Sequence, residues 1–232
     1  MLFRSPTALP ENADAAAAQF DIDAYLGPVA ADLAGWSMDQ WPLFNSVPCT
    51  PAMNWKLVVD TFLEAYHFRF LHARSVSPLF LDHVAAYDRI GRHVRICVAK
   101  KTLPELRALP EAQWRLRDHA LVLHIIFPNT VLAWVEDHCG IFTAFPDQVG
   151  RSVMFTSLLV DPTRRDGKPD AYWQANADLL RTATGEDFFL GETAQRGFTS
   201  GANRNIIFGR NEAGLTYYHE AIEAAMQAAP TA

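Results

Sequence analysis

The order of secondary-structure signals along this chain predicts an α+β domain, with an antiparallel sheet between helical segments. Apolar residues at helical spacing follow Asn54, and such spacing returns after residue 172. Between these regions, residues 93–160 contain short alternating or apolar runs separated by turn residues. These runs are too close together for crossover helices, so they favour antiparallel hairpins.

The N-terminal part of the chain is predicted to lead into one domain. Residues 1–20 are rich in Pro and Ala without periodicity, so we expect a linker or a trimmed N-terminus there and a single domain over 21–232. A weak helix is predicted over 21–33, interrupted at Gly27 and Pro28. A strong helix is predicted over 54–70, with Asn54 as its N-cap.

The remaining elements are strands followed by helices. The predicted strands cover 93–99, 121–127, 130–136, 140–145 and 152–160. The predicted helices cover 172–182, 186–198 and 215–227, with a short apolar piece at 205–208.

Composition excludes several function classes. The chain has 232 residues, of which 50% are apolar and 20% charged, as in a well-packed globular protein. Its net charge of −6 argues against a nucleic-acid or anionic-membrane partner. No apolar run is long enough to span a bilayer, and Met1 does not begin a secretory signal. A cytoplasmic location is therefore expected, with Cys49, Cys97 and Cys139 as reduced thiols.

The predicted helix after Asn54 carries polar residues on one face: Lys56, Asp60, Glu64 and His67. A solvated face with an ion pair between Lys56 and Asp60 would explain this spacing as well as a site would. The helix is also rich in aromatic residues, which indicates burial on most sides: Trp55, Phe62, Tyr66, Phe68 and Phe70. Because buried polar groups need partners or a metal, the aromatic residues favour a site.

His72 lies five residues after His67. On an ideal helix two such residues point about 140° apart, so they can hold one ion only if the helix ends or distorts between them. A metal site therefore predicts a break near 70–72. The His-x4-His spacing alone is a weak signal.

The segment from Asn54 to His72 resembles the catalytic-domain signature of Rieske-type ring-hydroxylating oxygenase α subunits. The resemblance rests on Asn54-Trp-Lys, on Asp60-Thr-Phe, and on Glu64-Ala-Tyr-His-Phe-Arg-Phe-Leu-His72. Residues 185–198, with Gly185-Glu-Asp and Gln195-Arg-Gly, resemble a downstream motif of the same family. The similarity covers about residues 20–228 and implies a helix-grip (Bet v 1-like) fold, in which a curved antiparallel sheet packs around a long C-terminal helix.

The resemblance implies a mononuclear Fe(II) site. His67 and His72 match the two histidine ligands, and Asp187 matches the carboxylate that completes a facial triad. Glu186 and Glu192 remain alternatives for the third ligand. The implied reaction is hydroxylation of an aromatic or other apolar ring compound with O2.

Three further residues match the family's site: Glu64, Asn54 and Tyr66. Glu64 matches an acidic residue that bridges to a Rieske-cluster histidine of a neighbouring subunit; alternatively, it only orients His67. Asn54 and Tyr66 are expected to support the site. The chain departs from the family at Thr61, where an asparagine is usual, which changes hydrogen bonding near the metal without removing a ligand.

The family receives electrons from a [2Fe–2S] Rieske domain, whose CxH…CxxH motif does not occur in residues 1–232. A Rieske domain or a ferredoxin and reductase is therefore the expected electron donor, and a homotrimer is implied. We expect this chain alone to bind iron without efficient turnover. The alternative is a non-catalytic domain that binds a small molecule in the helix-grip cavity.

The resemblance implies an apolar cavity, and its walls are expected to include Ile125, Phe127, Trp134, Phe142, Phe68 and Phe188. The other histidines are interpreted as structural or surface residues. His124 is expected in the core, and His138, beside Cys139 at a predicted hairpin, is expected at the surface.

Overall fold

The computed structural model describes residues 21–202 and 205–228. They form a seven-stranded antiparallel sheet with helices packed against it, which confirms the predicted α+β helix-grip class with its curved sheet and long C-terminal helix. The predicted linker, 1–20, lies outside the described residues, so its prediction stays open. No described helix combines the length and the apolar character that a membrane span requires.

The strands are β1 (Leu43–Cys49), β2 (Phe80–Ile90), β3 (His93–Lys100), β4 (Ala120–Ile126), β5 (Thr130–Trp134), β6 (His138–Gln148) and β7 (Arg151–Val160). The α-helices are α1 (Ile22–Leu26), α2 (Val29–Ala34), α3 (Trp55–Asp60), α4 (Phe68–Leu71), α5 (Leu116–His119), α6 (Asp170–Thr199) and α7 (Ala213–Ala228). Short 3₁₀ segments cover Met38–Gln40, Ser77–Leu79, Leu103–Ala108, Glu111–Gln113 and Pro162–Arg164.

The sheet order is β1-β7-β6-β5-β4-β3-β2. Strands β2 to β7 therefore form a meander, and its last strand, β7, pairs with β1. All five predicted strands are present, with ends shifted by a few residues. The two edge strands were not predicted. Neither shows clean burial alternation, because β1 is mostly exposed and contains Pro48, and β2 has a register shift between Phe80 and Ala85.

Both faces of the sheet are covered. In β5, Val131 and Ala133 face the main core, which lies between the sheet and helices α3 and α7. Leu132 and Trp134 face the opposite side, where they pack with residues of the segment around α2. This alternation within a single strand shows why its sequence reads as continuously apolar.

The predicted helix over 54–70 is wrong as one element. It ends at Asp60, and a second short helix begins at Phe68. The carboxylate of Glu64 accepts hydrogen bonds from the backbone N–H groups of Tyr66 and His67, so it replaces the helical carbonyls that these groups would otherwise use. The four polar residues therefore do not share a helical face. The predicted end near 70–72 is confirmed, because α4 stops at Leu71.

Asn54 is the N-cap of α3, as predicted, because its side-chain oxygen accepts a hydrogen bond of 3.0 Å from the backbone N–H of Lys56. Its amide also donates to the carbonyl of Val149, which ties α3 to the β6–β7 hairpin. We predict that Asn54→Ala lowers the free energy of unfolding by about 1–2 kcal/mol in urea titrations. Asn54→Ser keeps a capping oxygen and should recover part of that loss. Equal losses in both variants would mean that the cap contributes little.

The helices predicted over 172–182 and 186–198 form one continuous helix, α6, of 30 residues. Gly185 lies at the predicted junction, but a helical glycine costs only about 1 kcal/mol relative to alanine, so packing holds the helix together there. Gly191 has a packing role, because a Cβ at this position would overlap the side chain of the buried Met53. The result is an uninterrupted helix that carries Asp187 beside the segment between α3 and α4.

Candidate metal centre

His67, His72 and Asp187 lie together, and one ligand atom from each falls within 4.8 Å of the others. His67 immediately precedes the single turn of α4 and His72 immediately follows it. The short helix therefore brings two histidines that are five residues apart to one place. Asp187 reaches them from the middle of α6.

Each histidine is held by a carboxylate at its Nδ1 atom. Nδ1 of His67 contacts Oε1 of Glu64, and Nδ1 of His72 lies 2.7 Å from Oε2 of Glu186. Ser75 also donates its hydroxyl proton to Glu186, at 2.6 Å. Because ionised carboxylates only accept hydrogen bonds, each Nδ1 carries a proton and each Nε2 presents its lone pair.

The Nε2 atoms of both histidines face Asp187. Its Oδ1 atom lies 3.5 Å from Nε2 of His67 and 3.1 Å from Nε2 of His72. Oδ1 is buried and has no hydrogen-bond partner among the described residues. Such an oxygen, between two imidazole lone pairs, fits a bound cation. Two imidazole nitrogens and one carboxylate are the donor set typical of mononuclear Fe(II) sites with open coordination positions.

The surrounding charges favour this arrangement. Burial alone would raise the pKa of Glu64, but the hydrogen bond to His67 outweighs burial and lowers it. The pKa of Glu186 is likewise lowered, because its bonds with His72 and Ser75 outweigh burial. Burial disfavours a charged His72, yet Asp187 and Glu186 together raise the pKa of this imidazole. Both supporting carboxylates are thus held ionised.

The structure separates the other predicted site residues. Glu192 lies away from the three ligand atoms and accepts a hydrogen bond from the backbone of Ala52. Asn54 serves the helix cap described above, and its backbone N–H donates to Gln195. Tyr66 accepts a hydrogen bond from Asn211, and its ring packs at a tilt against His83 in a separate surface pocket.

A cavity of about 160 Å³ opens from the three candidate ligands along α6. Its walls are mostly apolar, and they include Phe68 and Phe142 as predicted. Phe188 lines a neighbouring cavity, whereas the other three predicted wall residues lie in the sheet's packed clusters: Ile125, Phe127 and Trp134. Phe70 is 78% exposed, so the segment is less buried than its aromatic content indicated.

Thr61 lines the same cavity, and its hydroxyl donates to the carbonyl of Val58 at 2.8 Å. The residue that departs from the family pattern therefore satisfies its own hydroxyl within α3. The predicted surface position of His138 is wrong, because this residue is buried and also lines the cavity. His124 is buried as expected, and its Nε2 contacts Asp32.

Comparison with known proteins identifies the family. The model of the ring hydroxylating alpha subunit (catalytic domain) matches residues 35–228. A search of curated proteins by sequence found no match. Among solved structures, the quaternary ammonium Rieske monooxygenase CntA in complex with an inhibitor is 15% identical with a TM-score of 0.71, and the match covers 89% of this chain and 56% of that chain.

Two other solved structures share the fold. Dicamba monooxygenase is 12% identical with a TM-score of 0.57, over 96% of this chain and 64% of that chain. NdmB of Pseudomonas putida CBB5 is 14% identical with a TM-score of 0.53, over 82% of this chain and 51% of that chain. This chain thus spans about half to two thirds of the length of each. With its family model matched over most of its length, the chain belongs to the family of ring-hydroxylating α-subunit catalytic domains.

Proposed function

We propose that this chain holds a mononuclear non-haem Fe(II) ion on His67, His72 and Asp187, for the hydroxylation of an aromatic or other apolar ring compound with O2. One observation carries the proposal: Oδ1 of Asp187 is buried without a hydrogen-bond partner and faces two imidazole Nε2 atoms. When bound, the iron supplies the redox chemistry that activates O2. The family supports an oxygenase over a purely ligand-binding domain.

The protein's own contribution is orientation. Glu64 and Glu186 hold the Nδ1 protons of the two histidines, which fixes the ring orientations and raises the basicity of each Nε2 atom. Glu64 is itself fixed by the backbone N–H groups of Tyr66 and His67. These contacts support the orienting role of Glu64. The proposal also includes a second role for Glu64, as a bridge to a Rieske-cluster histidine of a neighbouring subunit.

The cavity supplies a place for the substrate. Its apolar walls favour a ring compound and exclude water from the space beside the three ligands. Electrons are proposed to come from a Rieske [2Fe–2S] cluster, on a Rieske domain or a ferredoxin and reductase. The solved structure of a quaternary ammonium Rieske monooxygenase is described as giving insights into inter-subunit electron transfer, and a homotrimer of the present protein would allow such transfer.

Iron stoichiometry tests the proposed site. After anaerobic reconstitution with Fe(II) and desalting, the wild-type chain should retain roughly one Fe per chain, measured by plasma mass spectrometry. His67→Ala and His72→Ala should retain almost none. The matched control is His119→Ala, because His119 is only half-buried, lies outside the candidate site, and has a single side-chain hydrogen bond among the described residues, to Thr102. A wild-type chain without iron, or equal loss in the control, would contradict the site.

The oxygenase reaction needs its own test. With iron bound and reduced ferredoxin supplied, incubation under ¹⁸O₂ with a single-ring compound should place ¹⁸O in the product. Iron binding with no incorporation under any electron donor would contradict the oxygenase. A chain that binds a ring compound but takes up no Fe(II) would favour the non-catalytic alternative.

A further inference from the structure

The end of the cavity farthest from Asp187, which we call the distal wall, carries the polar residues His138 and Asn176. Asn176 precedes Asp187 by eleven positions on α6, which corresponds to about 16 Å along the helix. His138 begins β6 and adjoins the same part of α6, because its neighbour Asp137 accepts a hydrogen bond from Tyr172. The remaining surface between the distal wall and the candidate ligands is largely apolar. The cavity therefore has a metal end and a polar end.

A carboxylate fixes the orientation and tautomer of His138. Oδ1 of Asp137 lies 2.7 Å from Nδ1 of His138, and both residues are more than nine-tenths buried. Burial opposes ionisation of Asp137, but His138, Lys168 and Tyr172 outweigh burial and lower the pKa of this carboxyl. An ionised carboxylate only accepts, so Nδ1 of His138 must carry the proton.

The other ring nitrogen is left for a ligand. Nε2 of His138 has no hydrogen-bond partner in the described part of the chain, although the ring forms part of the cavity wall. Asp137 also pairs with Lys168, so Nδ1 of His138 and Nζ of Lys168 share this carboxylate. With its proton on Nδ1, the imidazole presents Nε2 to the cavity as an acceptor. An acceptor that faces the cavity without a partner in the protein is available to a donor on a bound ligand.

We infer that Nε2 of His138 accepts a hydrogen bond from the substrate, so the preferred substrate is a single-ring compound that carries an O–H or N–H donor. The inference rests on the proposed function, because it takes the cavity to be the substrate site. The size of the ligand follows from the volume: a cavity of about 150 Å³ holds one benzene ring, and the present one measures about 160 Å³. His138 would select the substrate, and Asp137 would position His138.

Three matched probes test this inference: p-xylene, p-cresol and p-toluate, which differ only in a methyl, hydroxyl or carboxylate group. Their affinities for the iron-free chain are measured by calorimetry. The wild-type chain should bind p-cresol at least about tenfold more tightly than p-xylene, because a site built around a hydrogen bond disfavours an analogue that lacks it. Tighter binding of p-toluate than of p-cresol would overturn the inference in favour of an anion site.

Variants separate the hydrogen bond from the shape of the cavity. His138→Phe should reduce the ratio of the p-cresol and p-xylene affinities to about one or below, and His138→Gln, which keeps an acceptor oxygen, should restore part of it. The control Phe142→Leu also changes the cavity wall but removes no acceptor, so it should weaken both ligands and leave their ratio unchanged. An unchanged ratio in His138→Phe would overturn the inference.

Two further measurements test the inference if a His138 variant folds poorly: the tautomer of His138 in the wild-type chain, and the iron content of each sample. In the wild-type chain, long-range ¹⁵N–¹H correlation should place the proton of His138 on Nδ1, and Asp137→Asn should shift that tautomer while lowering the affinity ratio. A proton on Nε2 would overturn the inference. Iron content, measured in the same samples, distinguishes the two proposals: His138→Phe should keep wild-type iron. A chain that takes up no iron but keeps its preference for p-cresol would contradict the proposed function alone.

Discussion

Asp187→Asn is expected to abolish iron binding and yet make the metal-free protein more stable than the metal-free wild type. The expected gain in the free energy of unfolding is roughly 1–3 kcal/mol at about pH 9, where histidine is ordinarily neutral. Where both imidazoles are neutral and no metal is bound, Oδ1 of Asp187 is a buried oxygen that faces two nitrogen lone pairs and receives no hydrogen bond. An asparagine amide has nearly the same shape and can donate a proton to either nitrogen.

Loss of iron binding together with a gain in metal-free stability distinguishes a metal-binding carboxylate from a structural one. If the carboxylate were retained for folding, its replacement would lower the stability of the metal-free protein. If it is retained for a metal, the metal-free site is destabilised by it, and its replacement should raise that stability. Iron is measured by plasma mass spectrometry and stability by urea titration of metal-free samples. Asp178→Asn is the matched control on α6, because Asp178 is a surface acceptor for Gln174 and Arg181. It should change stability by no more than about 0.5 kcal/mol.

Added Fe(II) should then stabilise the wild-type protein alone, since binding to the folded state raises its apparent stability. If metal-free Asp187→Asn were less stable than the wild type, the carboxylate would have a structural role that its contacts do not indicate. If it kept iron, the ligand assignment to Asp187 would be wrong.

The strands that were predicted from sequence are those in which each face is consistently buried or consistently half-buried. β3 alternates between buried and half-buried positions over residues 94–98, and β5 is buried on both faces, so each leaves a clear apolar pattern. β1 and β2 leave none, because an edge strand needs few buried side chains and tolerates Pro48. Pairing of β1 with β7 also joins segments more than a hundred residues apart, which no local pattern encodes.

The candidate site divides in the same way. The need for a helix end between His67 and His72 followed from helical geometry alone, and α4 has that end. The choice of Asp187 as the proposed third ligand followed only from the family resemblance. The role of Glu186 could not be predicted, because it depends on how α6 is rotated above His72. His138 was assigned to the surface because a hairpin was expected there, but Asp137 and Lys168 compensate for its burial.

Gly214→Ala is expected to destabilise the protein although the substitution is made inside a helix. A Cβ at this position would overlap the backbone carbonyl oxygen of Leu63 and lie 3.2 Å from the ring of Tyr87. A backbone oxygen cannot rotate away, so α7 or the segment after α3 must move. We expect a loss of about 1–3 kcal/mol in the free energy of unfolding, as for overpacked cores. Gly197→Ala on α6 is the control, because nothing lies within 4 Å of the added Cβ.

The two glycine variants should differ in sign. Gly197→Ala should gain up to about 1 kcal/mol, because alanine is the better helix former, whereas contact with Leu63 reverses that gain at Gly214. Leu63 immediately precedes Glu64, so its displacement should also disturb the carboxylate that holds His67 and weaken Fe(II) binding. Urea titration and iron titration of both variants measure the two effects. Equal stabilisation by both substitutions would mean that α7 does not pack against the backbone of Leu63. If Gly214→Ala lowers both stability and iron affinity, the packing of α7 against Leu63 determines the position of Glu64.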